Sequence, residues 1–379
     1  MHLISSVCHY SRRVTNDVAR NATLDDEKRA NCAPDRSAVM STMQAALARE
    51  IPTQRLEIAT VAAPSPEADD DVVLRVEACG ICGTDLHILA GKSYRPETPF
   101  VLGHEAVGVV VAAGDGASDW LGRRVTMTNF TGDGTCRWCT SGDERLCPDL
   151  VSITGVLGVW GGYAEYLRVH ARQLVEIPAT LSWADAASLV DCGATAANSV
   201  RVALTREPRS VLVLGAGPIG YMCAELLRVK GVPVQVVQRS PLRREALERI
   251  GHDVVDSIRA AAQPVDVVID CAGTAGVVGP GVQALGPRGM YLLAGYALVP
   301  EMDFAAVARK EADIRGIRSG RRQDLESIIA LAASTQIRLP EITAWRLSDA
   351  NDALAALREK QVPGKAIIVP DSVWGERPS

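Results

Sequence analysis

A run of valine and leucine residues, Val211–Leu214, leads directly into Gly215, Gly217 and Gly220, and this segment constrains the fold more than any other. The run is typical of a buried strand, and a helix is predicted to follow over Ile219–Lys230. In such a unit the first glycine makes a tight turn, the second lets the backbone approach a pyrophosphate, and the third allows close helix packing. The segment therefore predicts a nucleotide-binding unit. Its predicted cofactor contacts are Gly215, Gly217, Pro218, Ile219 and Gly220.

The hydrophobic pattern divides the remaining chain into two kinds of structure. Residues 44–190 are rich in strand-like runs such as Val72–Val76 and Ala106–Val111, whereas residues 193–320 alternate between strands and helices. Alternation of this kind favours βαβ units and a parallel sheet. We therefore predict an α/β fold that combines a β-rich domain with a doubly wound parallel-sheet domain. The predicted strands of the second domain are Val211–Leu214, Val234–Val237, Val265–Ile269 and Met290–Ala294.

Four segments are predicted along the chain. Residues 1–39 are polar and charged, and such a segment cannot bury enough apolar surface to offset the entropy of ordering, so we expect a disordered arm. An upstream start codon is an equally good explanation of this arm, because Met40 and Met43 lie just before the first strand. The β-rich domain is assigned to residues 40–192, the parallel-sheet domain to residues 193–335, and a return to the first domain to residues 336–379. The return is predicted as a helix from Leu347 to Arg358 and a strand over Ala366–Val369.

The composition argues against several classes of partner. The net charge of −5 comes without a basic block, so nucleic acid is not expected. No apolar run reaches the length of about 18 residues that a membrane span needs, and no secretion signal is evident. The ten cysteines form clusters, which in a chain of this size indicates metal or thiol roles in a reducing compartment. We expect a cytoplasmic protein that acts on a small molecule.

Two residues with metal-ligand chemistry lie about twenty positions apart. Cys82 closes the segment Cys79-Gly80-Ile81-Cys82, and His104 stands in Gly103-His104-Glu105. A thiolate and an imidazole on separate strand ends, joined by a third ligand from far along the chain, make an open catalytic zinc site. The sequence therefore predicts an enzyme that polarises an alcohol or carbonyl oxygen on zinc.

These motifs, in this order, resemble the zinc-containing medium-chain alcohol and polyol dehydrogenases. The resemblance covers about residues 43–370, and it implies a GroES-like catalytic domain, a Rossmann cofactor domain and a C-terminal return. It implies that Cys82 and His104 are zinc ligands. The third ligand of the family stands four residues before a threonine that faces the nicotinamide. Thr195 fits that threonine, so Asp191 is favoured, with Cys192 as the alternative if Asp191 merely caps the following helix.

The resemblance also assigns roles around the zinc ion. Asp85 is expected to hydrogen-bond His104 and fix its tautomer. Glu105 either approaches the metal transiently or forms an ordinary ion pair. The Thr84 hydroxyl is expected to take the substrate proton and pass it, through the cofactor ribose, to His87 at the surface.

A second metal motif is the series Cys136, Cys139 and Cys147. The related structural zinc lobe has four cysteines, and the position of its first cysteine corresponds here to Asp133. An Asp-Cys₃ zinc site is chemically possible, because zinc accepts oxygen ligands. A three-cysteine remnant without metal is the alternative.

The residues after the strand Val234–Val237 bear on the choice of cofactor. Gln238 stands where an acidic residue would bind the ribose diol of NAD, and Arg239, Ser240 and Arg243 follow. Arginine suits a 2′-phosphate through its bidentate fork, so NADP is favoured, with NAD or dual use as the alternative. By resemblance, Lys365 is expected to reach the cofactor pyrophosphate.

The predicted substrate pocket contains polar groups. Asn129 and Trp160 are its candidates, with Ser93 and Tyr94 as further ones. Polar lining indicates a polyol, sugar or cyclitol rather than a plain alkyl alcohol. A pocket elsewhere, with these residues on outer loops, is the alternative.

The sequence therefore predicts a zinc-dependent dehydrogenase that moves a hydride between an alcohol and NAD(P). Two rival hypotheses are an NADPH-binding protein without catalysis, which the departures at Asp191 and Asp133 would suit, and a zinc-free quinone-reductase-like enzyme. A homodimer or homotetramer is expected, paired through an edge strand at Met290–Ala294 or Ile314–Arg318.

Overall fold

A computed structural model describes residues 41–295 and 303–375. The expectation of a disordered arm over residues 1–39 lies outside this range. The strands of the β-rich part are β1 (Thr42–Ala48), β2 (Glu57–Ala62), β3 (Asp71–Gly80), β4 (Phe100–Val101), β5 (Glu105–Ala113), β6 (Arg124–Met127), β7 (Phe130–Thr131), β8 (Ser152–Ile153), β9 (Tyr166–His170) and β10 (Leu174–Glu176). The strands that follow are β11 (Val211–Leu214), β12 (Val234–Val237), β13 (Asp253–Val255), β14 (Val265–Asp270), β15 (Leu285–Leu293), β16 (Asp313–Gly316), β17 (Ile342–Arg346) and β18 (Lys365–Val369).

The helices alternate with strands mainly in the second half of the described chain. They are α1 (Gly83–Leu89), α2 (Arg137–Thr140), α3 (Trp183–Ala187), α4 (Cys192–Leu204), α5 (Pro218–Val229), α6 (Pro241–Glu248), α7 (Ala275–Ala284), α8 (Phe304–Lys310), α9 (Arg322–Ala333) and α10 (Ala350–Arg358). Short 3₁₀ turns cover Asp115–Trp120, Glu144–Leu146, Ala171–Gln173, Ile258–Ala260, Leu347–Asp349 and Asp371–Val373. Within the described ranges, no helix has both the length and the apolar character that crossing a membrane requires.

Six parallel strands form the sheet of the second domain, in the order β13-β12-β11-β14-β15-β16. Alternate residues of β11 enter different cores: Val211 and Val213 pack on one face, Leu212 and Leu214 on the other. Both faces are therefore covered, which explains why the strand is apolar throughout. This strand order reverses direction between β11 and β14, where doubly wound sheets bind their ligands. The predicted α/β fold class is confirmed.

The β-rich part is built around a sheet with the strand order β10-β6-β5-β3-β18-β17, and β9 also pairs with β3. The C-terminal strand β18 lies antiparallel to the end of β3, with Ile367 opposite Gly80 and Ile368 opposite Cys79. A second, three-stranded sheet has the order β2-β1-β4. The end of β3, which leads to Cys82, is thus held between β18 and β5.

One predicted interface strand is wrong. Met290–Ala294 overlaps β15, and β15 pairs with β14 on one side and β16 on the other. Its backbone is therefore not available to a second chain. In the described sheet, that edge is formed by β16, which overlaps the alternative segment Ile314–Arg318.

An ionic network around a buried carboxylate links α5 to its surroundings. The Glu225 side chain has no exposed surface, and it accepts hydrogen bonds from Arg228, Arg338 and His252 at 2.7–3.1 Å. Burial opposes the charge on Glu225, but its three partners outweigh burial and hold the pKa of this carboxyl well below its usual range. A depressed carboxyl pKa stabilises the fold above the unfolded-state pKa, and this contribution disappears as the pH falls through the folded-state pKa.

Replacing Glu225 by glutamine is expected to lower the free energy of unfolding by about 2–4 kcal/mol at pH 7, because a buried carboxylate that pairs with two arginines and a histidine loses its charge. Urea unfolding followed by circular dichroism measures this. The difference between the two proteins should shrink once the pH is below about 4. Glu326→Gln is the control, since its pair with Arg322 is largely exposed and worth less than about 1 kcal/mol. Equal effects of the two substitutions would contradict the prediction.

Candidate metal centres and cofactor cleft

Three chain segments bring different donor atoms to one point. Cys82 lies between β3 and α1, His104 directly before β5, and Asp191 directly before α4. Their ligand atoms, with a carboxylate oxygen of Glu105, all lie within 4.8 Å of one another. Asp191 Oδ2 is 3.8 Å from Cys82 Sγ and 3.9 Å from His104 Nε2. A sulfur, a nitrogen and an oxygen donor therefore converge just beyond the end of β3.

The geometry separates the two residues considered as third ligand. Asp191 occupies the N-cap position of α4 but makes no capping hydrogen bond with its side chain. Instead its Oδ1 accepts a hydrogen bond from Ser319 Oγ at 3.2 Å. Cys192 Sγ donates to the Ser188 carbonyl at 2.7 Å, and burial raises the pKa of this thiol. The Cys192 sulfur is thus engaged with a carbonyl and is not among the clustered ligand atoms, so the geometry favours Asp191 over the alternative Cys192.

Asp85 supports the cluster from behind. Its Oδ1 is 3.3 Å from His104 Nδ1, and its Oδ2 accepts hydrogen bonds from the Cys82 backbone N–H at 2.9 Å and from Tyr163 Oη at 2.7 Å. Sequence reasoning missed Tyr163, which is fully buried. Burial opposes a charged imidazole, but Asp85 and Asp191 outweigh it and set the pKa of His104 well above its ordinary value. The two carboxylates therefore favour positive charge at this point, and a bound metal ion would supply it.

Lys365 lines the cleft and forms an ion pair that sequence reasoning did not predict. Its Nζ donates to Glu105 Oε1 at 2.7 Å and also contacts Oε2, and both side chains are buried. Burial opposes the charge on Lys365, but Glu105 outweighs it and raises the pKa. An ammonium group has three hydrogen-bond donors, so this pair leaves the contact of Lys365 with the cofactor pyrophosphate as a prediction. A Cβ on Gly80 would lie 1.7 Å from Glu105 Oε2, so this ion pair requires glycine at that position.

Thr84 and His87 lie three residues apart on α1, which places them on the same side of the helix. Both line the cleft that Cys82, His104 and Asp191 also line. Thr84 Oγ1 is 3.6 Å from Cys82 Sγ, whereas His87 is exposed. The two side chains thus extend from the donor cluster toward solvent, as a proton path requires.

The glycine-rich turn forms another wall of this cleft. Gly215 has a φ of +91°, and a Cβ on Gly220 would lie 1.8 Å from the Gly215 carbonyl oxygen. Both positions therefore require glycine. Pro218 and Ile219 begin α5 and line the cleft. Thr195, from the first turns of α4, lines it too and is buried.

The residues after β12 lie where the turn meets α6. Gln238 Oε1 accepts a hydrogen bond from the Arg239 backbone N–H at 3.0 Å, and the Arg239 side chain is exposed. Ser240 is the N-cap residue of α6. Arg243 Nη1 lies 3.8 Å from where a Cβ on Gly217 would be, so this guanidinium borders the turn. Burial lowers the pKa of Arg243.

Only some of the residues predicted to bind the substrate line the cleft. The cleft has a volume of about 280 Å³, and Asn129 lines it with only 6% of its surface exposed. The Oδ1 atom of Asn129 has no hydrogen-bond partner among the described residues. The prediction that Trp160 lines the substrate cleft is corrected: Trp160 borders a separate surface pocket beside Met43. Tyr94 lines the same cleft as Asn129, and Ser93 does not.

Sequence reasoning missed one wall of the cleft. It is formed by Ile317, Arg318 and Ser319, which follow β16, and by Phe130. The position of Ile317–Ser319 was the available signal, because the carboxyl ends of parallel strands face the ligand in such sheets. The prediction treated this segment only as an edge strand.

A second group of donors stands apart from the cleft. The ligand atoms of Asp133, Cys136, Cys139 and Cys147 lie within 4.8 Å of one another. Asp133 Oδ1 accepts hydrogen bonds from the backbone N–H groups of Thr135 at 2.7 Å and Cys136 at 2.9 Å, which lower the pKa of this carboxyl. Burial raises the pKa of Cys139 to about 12. Four donors from one short lobe thus point inward together.

Both donor groups fit zinc. The group at the cleft offers sulfur, nitrogen and oxygen and leaves room for a further ligand, as catalytic zinc sites do. The group in the lobe offers three sulfurs and an oxygen, a closed set typical of structural zinc.

Comparisons with known proteins agree with this arrangement. Residues 68–179 match the family model "Alcohol dehydrogenase GroES-like domain", and residues 184–311 match "Glucose dehydrogenase C-terminus". An alcohol dehydrogenase of Geobacillus stearothermophilus is 27% identical over 86% of this chain and 98% of its own length. D-arabinose 1-dehydrogenase (NADP(+)) of Saccharolobus solfataricus is 29% identical over 87% and 99%.

A solved structure of a cobalt- and zinc-bound thermostable alcohol dehydrogenase from Pyrobaculum aerophilum superposes with a TM-score of 0.79 at 29% identity. The match covers 87% of this chain and 100% of that one. Sequence, fold and cleft therefore agree that the chain belongs to the medium-chain alcohol/polyol dehydrogenase family and is an NAD(P)-dependent alcohol oxidoreductase.

Proposed function

We propose that the protein is a zinc-dependent dehydrogenase in which Cys82, His104 and Asp191 hold the catalytic ion. The observation that carries this proposal is the convergence of their three donor atoms on a cleft that the glycine-rich turn also lines. Bound zinc supplies Lewis-acid stabilisation of negative charge on the substrate oxygen, and the bound nicotinamide exchanges the hydride. Asp85 orients His104 through the ring nitrogen that does not face Asp191.

The remaining roles belong to side chains of the cleft. Thr84 takes the hydroxyl proton, and His87 releases it to solvent, since Thr84 lies beside Cys82 and His87 is exposed. Thr195 helps to position the nicotinamide. Asn129 Oδ1 lacks a partner, so it is suited to accept a hydrogen bond from a substrate hydroxyl, which favours a polyol, sugar or cyclitol.

NADP is the preferred cofactor in this proposal. Arg239 and Arg243 flank the end of β12 where NAD-specific relatives carry an acidic residue, and neither arginine forms an ion pair among the described residues. The named relative that uses NADP is the D-arabinose dehydrogenase. A 2′-phosphate would supply the missing counter-charge.

Replacing Arg243 by glutamine is expected to lower kcat/KM for NADP by about 10- to 100-fold and to change kcat/KM for NAD less than about threefold. Steady-state kinetics with each cofactor measures this. Arg244→Gln is a matched control on the same helix, because the Arg244 guanidinium is already paired with Glu248 at 2.7 Å. A loss of the same size with both cofactors would contradict a role in 2′-phosphate recognition.

The proposed activity is tested with metal-loaded protein and both cofactors. Polyols, sugars and cyclitols are offered beside alkyl alcohols, and a quinone is offered with NADPH. Alcohol oxidation that a chelator abolishes and zinc restores is expected. Quinone reduction that survives the chelator would favour the zinc-free reductase hypothesis. NADPH binding without turnover of any alcohol would favour the non-catalytic hypothesis.

We also propose a homo-oligomer that pairs through β16, the strand at one edge of the parallel sheet. Its open backbone groups can extend the sheet into a second copy. Light scattering during size-exclusion chromatography tests this: a mass of about one chain at micromolar concentration would contradict the proposal.

A further inference from the structure

Arg318 is fixed in the wall of the cleft. Its Nη1 donates to the Arg145 carbonyl at 2.6 Å and its Nη2 to Tyr94 Oη at 3.3 Å. The guanidinium carbon lies 4.8 Å from the centre of the Phe130 ring. Three different contacts therefore hold this side chain in one orientation. They use only part of the hydrogen-bonding capacity of the guanidinium.

Among the described residues, no anionic side chain neutralises the positive charge of Arg318. Among the ion pairs of the described residues, none includes Arg318, and its neighbour Arg145 is already paired with Asp143 at 2.6 Å. The groups that hold Arg318 are a carbonyl, a phenol and an aromatic ring, and none of them is an anion. A half-buried cation without a counter-charge is costly, so a ligand anion in the cleft would be favourable.

Arg318 is next in sequence to a residue that contacts the donor cluster of the cleft. The next residue, Ser319, donates its hydroxyl to Asp191 in the donor cluster at 3.2 Å. Arg318 lines the same cleft as Cys82 and Asn129. A single small molecule can therefore reach from the donor cluster to the guanidinium.

We propose that the substrate alcohol carries an anionic group, a carboxylate or a phosphate, and that Arg318 binds this group. This inference rests on the proposed dehydrogenase function and narrows its substrate class to hydroxy acids or phosphorylated polyols. The planar fork of arginine matches both kinds of anion, whereas a neutral polyol would leave the charge uncompensated. Arg318 is thus a specificity-determining residue.

Matched substrates test the proposal with holoenzyme. One series compares ω-hydroxy acids with their methyl esters, and a second compares polyol phosphates with the free polyols. Wild-type kcat/KM is expected to be at least about tenfold higher for the anionic member of one series, and the series that shows this identifies the anion. Arg318→Gln should lower kcat/KM for that member by about 100-fold and change the value for its neutral partner less than about threefold. Arg318→Lys should restore part of the loss, since it keeps the charge without the fork.

The control is Arg55→Gln, which removes an exposed arginine of the β-rich domain that does not line the cleft. Equal losses for charged and neutral substrates in Arg318→Gln, or no preference in the wild type, would overturn the proposal while leaving the dehydrogenase function intact. Turnover of no alcohol at all would instead count against that function. Calorimetry then decides the role of Arg318: butyrate or glycerol phosphate should bind the wild-type NADP complex and not the Arg318→Gln complex. If neither butyrate nor glycerol phosphate binds the wild-type NADP complex, the proposed role of Arg318 is overturned.

Discussion

Replacing Cys82 by alanine is expected to lower kcat by at least about 10³-fold and to leave the Kd for NADPH within about threefold of the wild-type value. Cys82 is the sulfur member of the donor group, and its Sγ lies 3.8 Å from Asp191 Oδ2. Without it, the two remaining donors cannot hold a tetrahedral ion in an open site. The glycine-rich turn is built from other segments, so the nucleotide still binds. Steady-state kinetics measures kcat and NADPH fluorescence measures Kd, while metal analysis reports the zinc content of the variant.

The control for this prediction is Cys79→Ala. Cys79 is three residues away at the end of β3, and burial raises the pKa of its thiol, so it stays protonated. It does not belong to the donor group of Cys82. His104→Ala should reproduce the loss seen with Cys82→Ala. Normal turnover by either variant, or equal loss in Cys79→Ala, would refute the proposed zinc mechanism.

Local sequence signals predicted the fold and much of the site. The strand before Gly215 is apolar because both of its faces are buried, and the glycines are needed for backbone reasons alone. The cysteines of the lobe lie within twelve positions of one another, so their spacing was readable directly. Asp191 was found by counting from Thr195, and the structure turns its carboxylate toward His104.

Contacts between distant segments could not be predicted in this way. Lys365 pairs with Glu105 across 260 positions, and the motif comparison gave no sign of this ion pair. Arg318 meets Arg145 across 173 positions. Trp160 precedes Gly161, which packs against Gly103, yet it borders a different pocket from the one that the donor cluster lines. Such contacts depend on how the sheets are assembled rather than on local pattern.

Replacing Cys139 by serine is expected to remove about one equivalent of zinc and to lower Tm by about 10 °C, because metal binding and folding are coupled in a lobe with little core. The lobe contains only the four-residue helix α2 and a short 3₁₀ turn, and Cys147 is its buried donor. Calorimetry and metal analysis measure the two effects. The catalytic ion should remain, since its donors lie on other segments.

Asp133 separates metal binding from turn formation. Asp133→Asn keeps an oxygen that accepts the backbone hydrogen bonds of Thr135 and Cys136 but removes the negative charge. We expect this variant to lose zinc affinity while the turn persists, and we expect Asp133→Cys to restore it with a thiolate. If Asp133→Asn keeps full zinc content and an unchanged Tm, Asp133 only shapes the turn, and the four-donor site is wrong.

The lobe also reaches the substrate end of the cleft. Arg145 lies between Cys139 and Cys147 in sequence, its carbonyl accepts the bond from Arg318, and its own guanidinium donates to the Arg318 carbonyl at 2.5 Å. Loss of the lobe metal should therefore release Arg318 from one of its three contacts. In Cys139→Ser, KM for the anionic substrate should rise by at least about tenfold while kcat for a neutral alcohol changes much less. Equal changes in both would mean that the lobe acts on the whole fold rather than through Arg145.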